Sequence, residues 1–392
     1  MKSRTLRYIV AATTFAALTI SGGLLAQNGG DRAGAPKGKL VEFDFPGAST
    51  APGLGTQAFS NNDLGVVVGY YTDPNIVPHG FLRTPDGHFV SFEAPGAGTA
   101  NGADQGTVAY SINNLGEIAG QFEDKNGLFH GFVRYPNGSF ATFNPPGSGT
   151  SANQGAFGTA NINIQGTVAG YFADGNNLVH GFVRTRDGRF TVIDVPGAAG
   201  GTFVCMETCI NPEGATTGWY ADANGIYRGF VRSPDGRIST FEAPQLGAAP
   251  ILYTVAASIN VEGVITGYSL DANFLGQGFI RTPDGKITTF QAPNASTDPG
   301  QGTAAFSINL FGAVTGEFND ANSVMYGFAR SADGKFDTFY APDAGVGAYQ
   351  GTRPSTNNSK NQVTGWYVDD NYSNHGFVWT PDDNSAPSDG QR

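Results

Sequence analysis

Cysteine is scarce in this 392-residue chain: Cys205 and Cys209, in "FVCMETCIN", are the only two. Residues four apart on a regular strand lie about 13 Å apart, beyond the roughly 7 Å that a disulfide spans. A bridge here therefore requires a local bulge, and two buried thiols are the simpler expectation. Cations are also scarce, with 22 Lys and Arg against 33 Asp and Glu. Nucleic acid calls for a basic face, so this balance excludes it as a partner. Long apolar runs are missing beyond Tyr8–Ile20, which is short for a membrane span. No G-x-S-x-G and no H-E-x-x-H occurs, so neither a hydrolase elbow nor a zinc-protease helix is written in the chain.

The one apolar run has a clear alternative use. Lys2, Arg4 and Arg7 precede it, and "SGGLLA" offers a cut after Ala26. Residues 1–26 thus read as a signal peptide and 27–38 as a flexible linker, which predicts a secreted, extracellular or periplasmic protein. The competing reading is an uncleaved anchor. Without the three cations of residues 1–26, 19 Lys and Arg face 33 acids, a net charge of −14, suited to a soluble exported protein.

Glycine, by contrast, is abundant at 57 residues, with 29 Phe and 15 Tyr. Glycine at tight turns with aromatics between them points to an all-β chain. The order within it is a repeat. "GF" begins at Gly80, Gly131, Gly181, Gly229, Gly278, Gly327 and Gly376, at spacings of 51, 50, 48, 49, 49 and 49. Seven residues before each glycine stands an Asp, from Asp73 to Asp369, and two after each Asp an Asn, from Asn75 to Asn371.

Each copy reads as four short strands. In the second these are "TVAYSIN", "EIAGQFED", "HGFVRYP" and "SFATFNPP", separated by "NNLG", "DKNGLF" and "PNG" turns. Four strands per unit, seven times, predicts an all-β seven-bladed β-propeller over 39–382, with four-stranded antiparallel blades. The last copy lacks a fourth strand and runs into a polar tail, 383–392, expected to be disordered. "KLVEFDFPG" near the start matches the missing strand, so residues 39–46 are predicted to complete the last blade and close the ring. An open solenoid of stacked β units is the alternative.

The stretch "SINNLGEIAGQFED…HGFVRYPNG" resembles the HAF-type repeats of probable extracellular bacterial proteins, in which "INxxGxVVGY" precedes "HAFLW". His375-Gly376-Phe377-Val378-Trp379 comes nearest. Elsewhere Gly replaces Ala, and Arg replaces Trp at Arg83, Arg134, Arg184, Arg232, Arg281 and Arg330. The resemblance covers nearly all of residues 40–382 and implies export and a repeat fold, with no catalytic residues to carry over.

Groups present in every copy are expected to serve the fold. Asp-x-Asn resembles the start of a calcium loop but lacks the further oxygen ligands, so Asx-turn capping is expected, with no metal and no cofactor. His79, His130, His180 and His375 share a position with Arg228, Gln277 and Tyr326, which calls for a polar group reaching solvent or a carbonyl. The six Arg after "GF" call for an ion pair or a capped carbonyl. One second-strand position reads Tyr70, Gln121, Tyr171, Trp219, Tyr268, Glu317, Trp366, and its neighbour Tyr71, Phe122, Phe172, Tyr220, Ser269, Phe318, Tyr367. Neighbours on a strand face opposite ways. The second set suits a packed blade interface. The first, tolerating Gln and Glu, is expected to be partly exposed near the Asp-x-Asn loops.

Tyr70, Tyr171, Trp219, Tyr268 and Trp366, with Arg228, Tyr253, Tyr349 and Arg353, are therefore the candidate ligand-binding residues. Aromatic platforms beside Asp and Asn acceptors suit sugars, giving a multivalent carbohydrate-binding or cell-surface-binding module, expected to be monomeric. The alternative is a polysaccharide lyase or hydrolase at the channel mouth, where the repeat breaks at "GGTFVCMETC" with Glu207, at "QLGAAPILY" and at "DAGVGAYQGTRP".

Overall fold

The computed structural model describes residues 38–100, 105–204, 207–245, 247 and 249–382. The signal peptide, the linker up to residue 37, the tail and Cys205 lie outside the described residues.

Every described element is a strand, and among the described residues no helix is long and apolar enough to cross a membrane. The strands form propeller-like blades of four antiparallel strands. In the first blade Thr56–Asn61, Val67–Thr72, Pro78–Arg83 and Phe89–Phe92 pair in chain order. Glycine makes the connecting turns: Gly65 and Gly87, at φ +79° and +93°, donate their amides back to the Asn62 and Thr84 carbonyls. Neighbouring blades join at one face, where a third strand meets the next inner strand in parallel, as at Phe129↔Gly155, Tyr227↔Tyr253 and Met325↔Gly351.

The "GF" glycine now has a cause. A Cβ on Gly80 would lie 2.6 Å from the ring of Phe92, and one on Gly278 2.5 Å from Phe290. The outer-strand Phe lies flat across the glycine and reaches the next blade, where Phe92 meets Phe132 at 6.3 Å and Phe140 at 6.1 Å. The Arg that follows "GF" covers the same ring of the preceding blade. Arg134 sits 4.8 Å over Phe92, Arg281 4.9 Å over Phe241 and Arg330 5.0 Å over Phe290. Several also cap a carbonyl, as Arg281 does Thr282 at 3.4 Å. That half of the expectation holds, while the expected ion pair is replaced by a cation–π contact. At the seventh position Trp379 takes over, stacked on Phe339 at 4.5 Å.

The N-terminal strand Lys39–Phe43 pairs antiparallel with Asn374–Thr380, from Lys39↔Thr380 to Phe43↔Gly376. Phe43 lies over Gly376, where a Cβ would come within 2.3 Å of it. That repeats the relation of Phe92 to Gly80, so the first strand serves as a fourth strand. The last and first blades also touch directly. Asn374 N donates to Leu54 O at 2.8 Å, and Ser355 Oγ to Ala58 O at 3.2 Å.

A further circuit passes through an asparagine ending the inner strand of each copy. Asn62 Nδ2 donates to Asn113 O, and Asn113 in turn to Asn163 O. Asn163 reaches Asn211, Asn211 reaches Asn260, and Asn260 reaches Asn309. Asn309 bonds Asn358 O, and Asn358 returns to Asn62 O at 3.0 Å. All seven side chains are buried. Their Oδ1 atoms cap the following turn, as Asn113 does for Leu115 and Glu117 at 3.0 Å. The signal for this, an Asn in register in every copy, lies in the sequence and was not used.

Candidate functional site

The Asp-x-Asn loops are Asx turns throughout. Asp73 Oδ1 accepts the amides of Asn75 and Val77, both at 2.9 Å, and Asp369 does the same for Asn371 and Ser373. The other carboxylate oxygen faces the shared His position. His375 stacks on Tyr367 at 4.8 Å and sits 3.5 Å from Asp369 and 3.0 Å from Asp44. In the blades of His79, His180 and His375 the partly exposed imidazole bridges a loop Asp and an outer-strand acid, whereas His130 faces Asp124 with Asn144 at the outer-strand position. Gln277 reaches a carbonyl as expected, Pro244 O at 2.7 Å. Arg228 fills the same place, held 3.1 Å from Asp222 and bonded to Glu242. Its contacts are with these two acids of its own blade.

The second set of second-strand residues packs between blades as expected: Phe122, Phe172, Phe318 and Tyr367 are buried, and Tyr71 stacks on Phe45 at 3.8 Å. The first set overturns its expectation. Tyr171, Trp219 and Tyr268 are only 7%, 6% and 7% exposed. They form one core with Phe157, Phe203, Val255, Ala257 and Phe306. These residues face inward beside the inner strands, and the tolerance for Gln and Glu has an internal cause. Gln121 Oε1 accepts the Gly158 amide at 2.7 Å. Glu317, 1% exposed, lies 3.4 Å from Arg353. Burial raises the Glu317 carboxyl while Arg353 opposes that rise. Arg353 in turn lies 5.4 Å over Trp366.

The inner strands bulge at one residue, as between Ala58 and Ser60, Ala109 and Ser111, and Ala305 and Ser307. The aromatic core above spans the third to sixth blades. In the first, second and last blades Phe59, Tyr70, Tyr110 and Trp366 are only half-buried. Phe59 lies 5.8 Å from Tyr70, 5.3 Å from Tyr110 and 5.4 Å from Trp366, with the last two tilted against it at 59° and 61°. These four rings form one partly exposed aromatic cluster. Of the predicted platform, Tyr70 and Trp366 alone keep solvent contact.

The fourth blade contributes the acid. Thr56 and Asn62 are six positions apart, whereas Thr202 and Asn211 are nine. The inner strand there shortens to Thr202–Val204, and Glu207–Cys209 lie in a loop beyond it. Cys209 in this loop is disulfide-bonded, with Cys205 the chain's one other cysteine. The expectation of two thiols fails because its premise of a regular strand fails. The loop is anchored on the fifth blade: Glu207 N donates to Ala257 O at 3.3 Å, and Thr208 Oγ1 pairs with Ser258 Oγ at 2.7 Å. Glu207 keeps some solvent contact, and desolvation pushes its carboxyl up to about 8. The Tyr110 phenol is pushed up, by burial first and then by Tyr70, Tyr171 and Glu207.

Exposed aromatics do occur at the Asp-x-Asn face, at other positions. Tyr227 stacks on Tyr253 at 4.8 Å, and Tyr253 meets Phe274 at 6.0 Å. The loops Asp222–Asn224 and Asp271–Asn273 flank the run. Phe274 is 37% exposed and sits at φ +59°, where most copies place a small or polar residue. Tyr349 and Tyr372, 51% and 47% exposed, take φ +63° and +62°. Tyr372 Oη reaches Ala348 O at 3.4 Å. Holding large side chains in the left-handed region costs energy. Of the predicted residues, then, Tyr253 and Tyr349 lie at this face.

No protein-family model matches the chain, and no curated protein matches it in sequence. Solved structures do resemble it. The BP39L lectin of Burkholderia pseudomallei, 10% identical, superposes with a TM-score of 0.51 over 90% of this chain and 97% of the lectin. AofleA of Arthrobotrys oligospora, 13% identical, covers 76% of this chain and 89% of its own at 0.42. The fungal Aleuria aurantia lectin, described as a six-bladed β-propeller with a fucose recognition mode, is 13% identical and covers 77% of this chain and 94% of its own at 0.39.

Proposed function

We propose that the chain is an exported, monomeric, closed seven-bladed β-propeller of the HAF-repeat type that binds carbohydrate at the Asp-x-Asn face. Ring closure is supported by the asparagine circuit that returns to Asn62 after seven bonds and by the first strand lying on the last blade. Binding is supported chiefly by one observation. Tyr227, Tyr253 and Phe274 make a continuous aromatic run between two Asx loops, and Phe274 is held outward by an unfavourable backbone conformation. Flat apolar rings take sugar C–H groups, and the Asp and Asn side chains beside them take hydroxyls. Tyr349 with Tyr372 offers a second, similar place, so stoichiometry above one is expected, against a polysaccharide or a glycosylated cell surface.

The test is a glycan and polysaccharide binding screen with the full chain, followed by Tyr253→Ala and Tyr349→Ala. Each substitution should weaken binding about fivefold or more at its own place, since a buried stacking contact carries roughly 1 kcal/mol. Glycan binding untouched by both substitutions sinks the proposal. The enzyme alternative rests on Glu207. A two-carboxylate hydrolase needs a second acid about 5–9.5 Å away, and the groups named around Glu207 are phenols. Turnover of any polysaccharide, lost on substitution at this one place, would favour it.

A further inference from the structure

Each blade has a second end, opposite its Asp-x-Asn loop. Because successive strands are antiparallel, the N-x-x-G turn after the inner strand and the D-G turn after the third lie together there. Turn tips in water are ordinarily Gly, Asn, Asp, Ser or Pro. Four copies instead place large apolar side chains in the N-x-x-G turn. Leu64, Leu115, Leu310 and Phe311 are 66%, 52%, 50% and 55% exposed, and Ile164 is 38% exposed. These turns are tied directly to one another. Asn309 Nδ2 donates to Asn361 Oδ1 at 2.7 Å, and the Ser359 amide to Asp63 Oδ1 at 2.8 Å. The Asp63 amide donates to Asn114 Oδ1 at 2.9 Å, and Asn113 Nδ2 to Asn163 O at 3.0 Å. The turns of the sixth, seventh, first, second and third copies therefore make one supported row, in which the seventh contributes Lys360. The fourth and fifth copies carry Glu213 and Glu262 at the tip, which bounds the apolar row.

Charge also separates the two ends. Every Asp-x-Asn loop adds an acid, and outer-strand acids such as Glu93, Asp194 and Glu242 stand beside them. Among the described residues Lys125 and Arg228 are the cations at that end. At the turn end Arg189, Arg237 and Lys335 offset Asp187, Asp235 and Asp333. The six Arg that follow "GF" finish their strands at this end as well.

We propose that the turn end docks on an anionic phospholipid bilayer, with Leu64, Leu115, Ile164, Leu310 and Phe311 entering the headgroup–acyl boundary and Lys360 meeting headgroup phosphate. A chain with 33 acids and 22 cations is repelled by a negative surface unless it presents the end where its cations gather. Apolar side chains on turns already bonded to their neighbours leave water with little further ordering of the backbone. The described chain also enters at this end, since Lys39 pairs with Thr380, where the last third strand finishes. The one long apolar run, Tyr8–Ile20, lies upstream of Lys39, so while that run occupies the export membrane it tethers the fold by its turn end. Docked this way, the Asp-x-Asn loops point away from the lipid and stay open to glycan. The inference goes beyond the carbohydrate reading and does not rest on it.

Vesicle flotation tests it, using the chain from Gln27 onward, which keeps every described residue and lacks the run Tyr8–Ile20. At about 1 mM lipid and 0.1 M salt the chain should float with phosphatidylcholine–phosphatidylglycerol vesicles (7:3). Binding should fall about fivefold or more on phosphatidylcholine alone or in 0.5 M salt. The combined substitutions Leu64→Ser, Leu115→Ser and Phe311→Ser should weaken binding tenfold or more, and Lys360→Glu should weaken it severalfold. All four positions are at the surface, and thermal unfolding shows whether each variant is folded. Tyr253→Ala and Tyr349→Ala, at the other end, should float like the parent. No flotation with the mixed vesicles overturns the proposal and leaves a protein partner as the occupant of the turns. Equal flotation with both vesicles, parent-like flotation of the folded triple variant or of Lys360→Glu, or loss of flotation in Tyr253→Ala would each overturn it too. Glycan binding is read separately, so either proposal can fail without the other.

Discussion

Phe43→Ala isolates what the N-terminal strand contributes. Phe43 lies across Gly376 and contacts Phe81 at 6.4 Å and Phe89 at 5.9 Å, with Arg83 4.7 Å above it. Truncating a fully buried Phe costs roughly 3–5 kcal/mol. Phe43 is half-buried, so about half of that applies, ~2 kcal/mol. Losing the Arg83 contact adds ~0.5–1 kcal/mol. The unfolding entropy is roughly 2.1 cal/mol/K per residue, or ~0.7 kcal/mol/K over residues 38–382, so ~2.5–3 kcal/mol lowers Tm by about 4 °C. The equivalent Phe92, 8% exposed, is the internal standard, and Phe92→Ala should cost about 4–7 °C. Differential scanning fluorimetry measures both, and hydrogen exchange at Leu40–Phe43 reports the strand itself. If Phe43→Ala melts within 1 °C of the parent while Phe92→Ala falls as expected, the strand is an appendage and the closure argument fails.

Two further outcomes follow from the same geometry. Asn358→Ala removes the donor to Asn62 O and leaves the amides of Lys360 and Gln362 without their acceptor; urea unfolding should show a loss of about 1–3 kcal/mol, and Asn358→Asp, which keeps the acceptor, should not restore it. Stability should also fall at both ends of the pH range. Asp222 is lowered from 3.8, first by the Ile226 amide, so its contribution is whole above that value and is lost as pH falls through the depressed one. His375 is raised from 6.5, first by its hydrogen bond to Asp44, so its contribution is whole below 6.5 and fades as pH rises through the raised value. Melting profiles of the parent and of His375→Gln, which should lose part of the alkaline decline while the likewise raised His79 keeps the rest, check the second limb.

What the sequence made legible was whatever recurs in register. The "GF" spacing located every third strand, and the orphan "KLVEF" found its place because Phe43 does at Gly376 what Phe92 does at Gly80. The Asx turns were readable for the same reason. Gln121 and Glu317 make the aromatic platform look wet in the strand pattern, yet both side chains are satisfied inside the protein. The bulged inner strand frees an amide at Gly158 for Gln121, and the last blade supplies Arg353 to Glu317. The exposed Phe274 and Tyr372 went unnoticed because their exposure arises from a left-handed backbone at the loop tip, which no strand alternation encodes. The disulfide was disfavoured by a strand distance, and that distance does not apply where three inserted residues break the strand.

Gly38 N lies 3.2 Å from a carboxylate oxygen of Asp382, so the two ends of the described residues lie side by side, one on the outermost strand of a blade and the other just past its third strand. A label attached beside either residue would therefore sit on the outer side of that blade, away from its inner strand Gly351–Asn357.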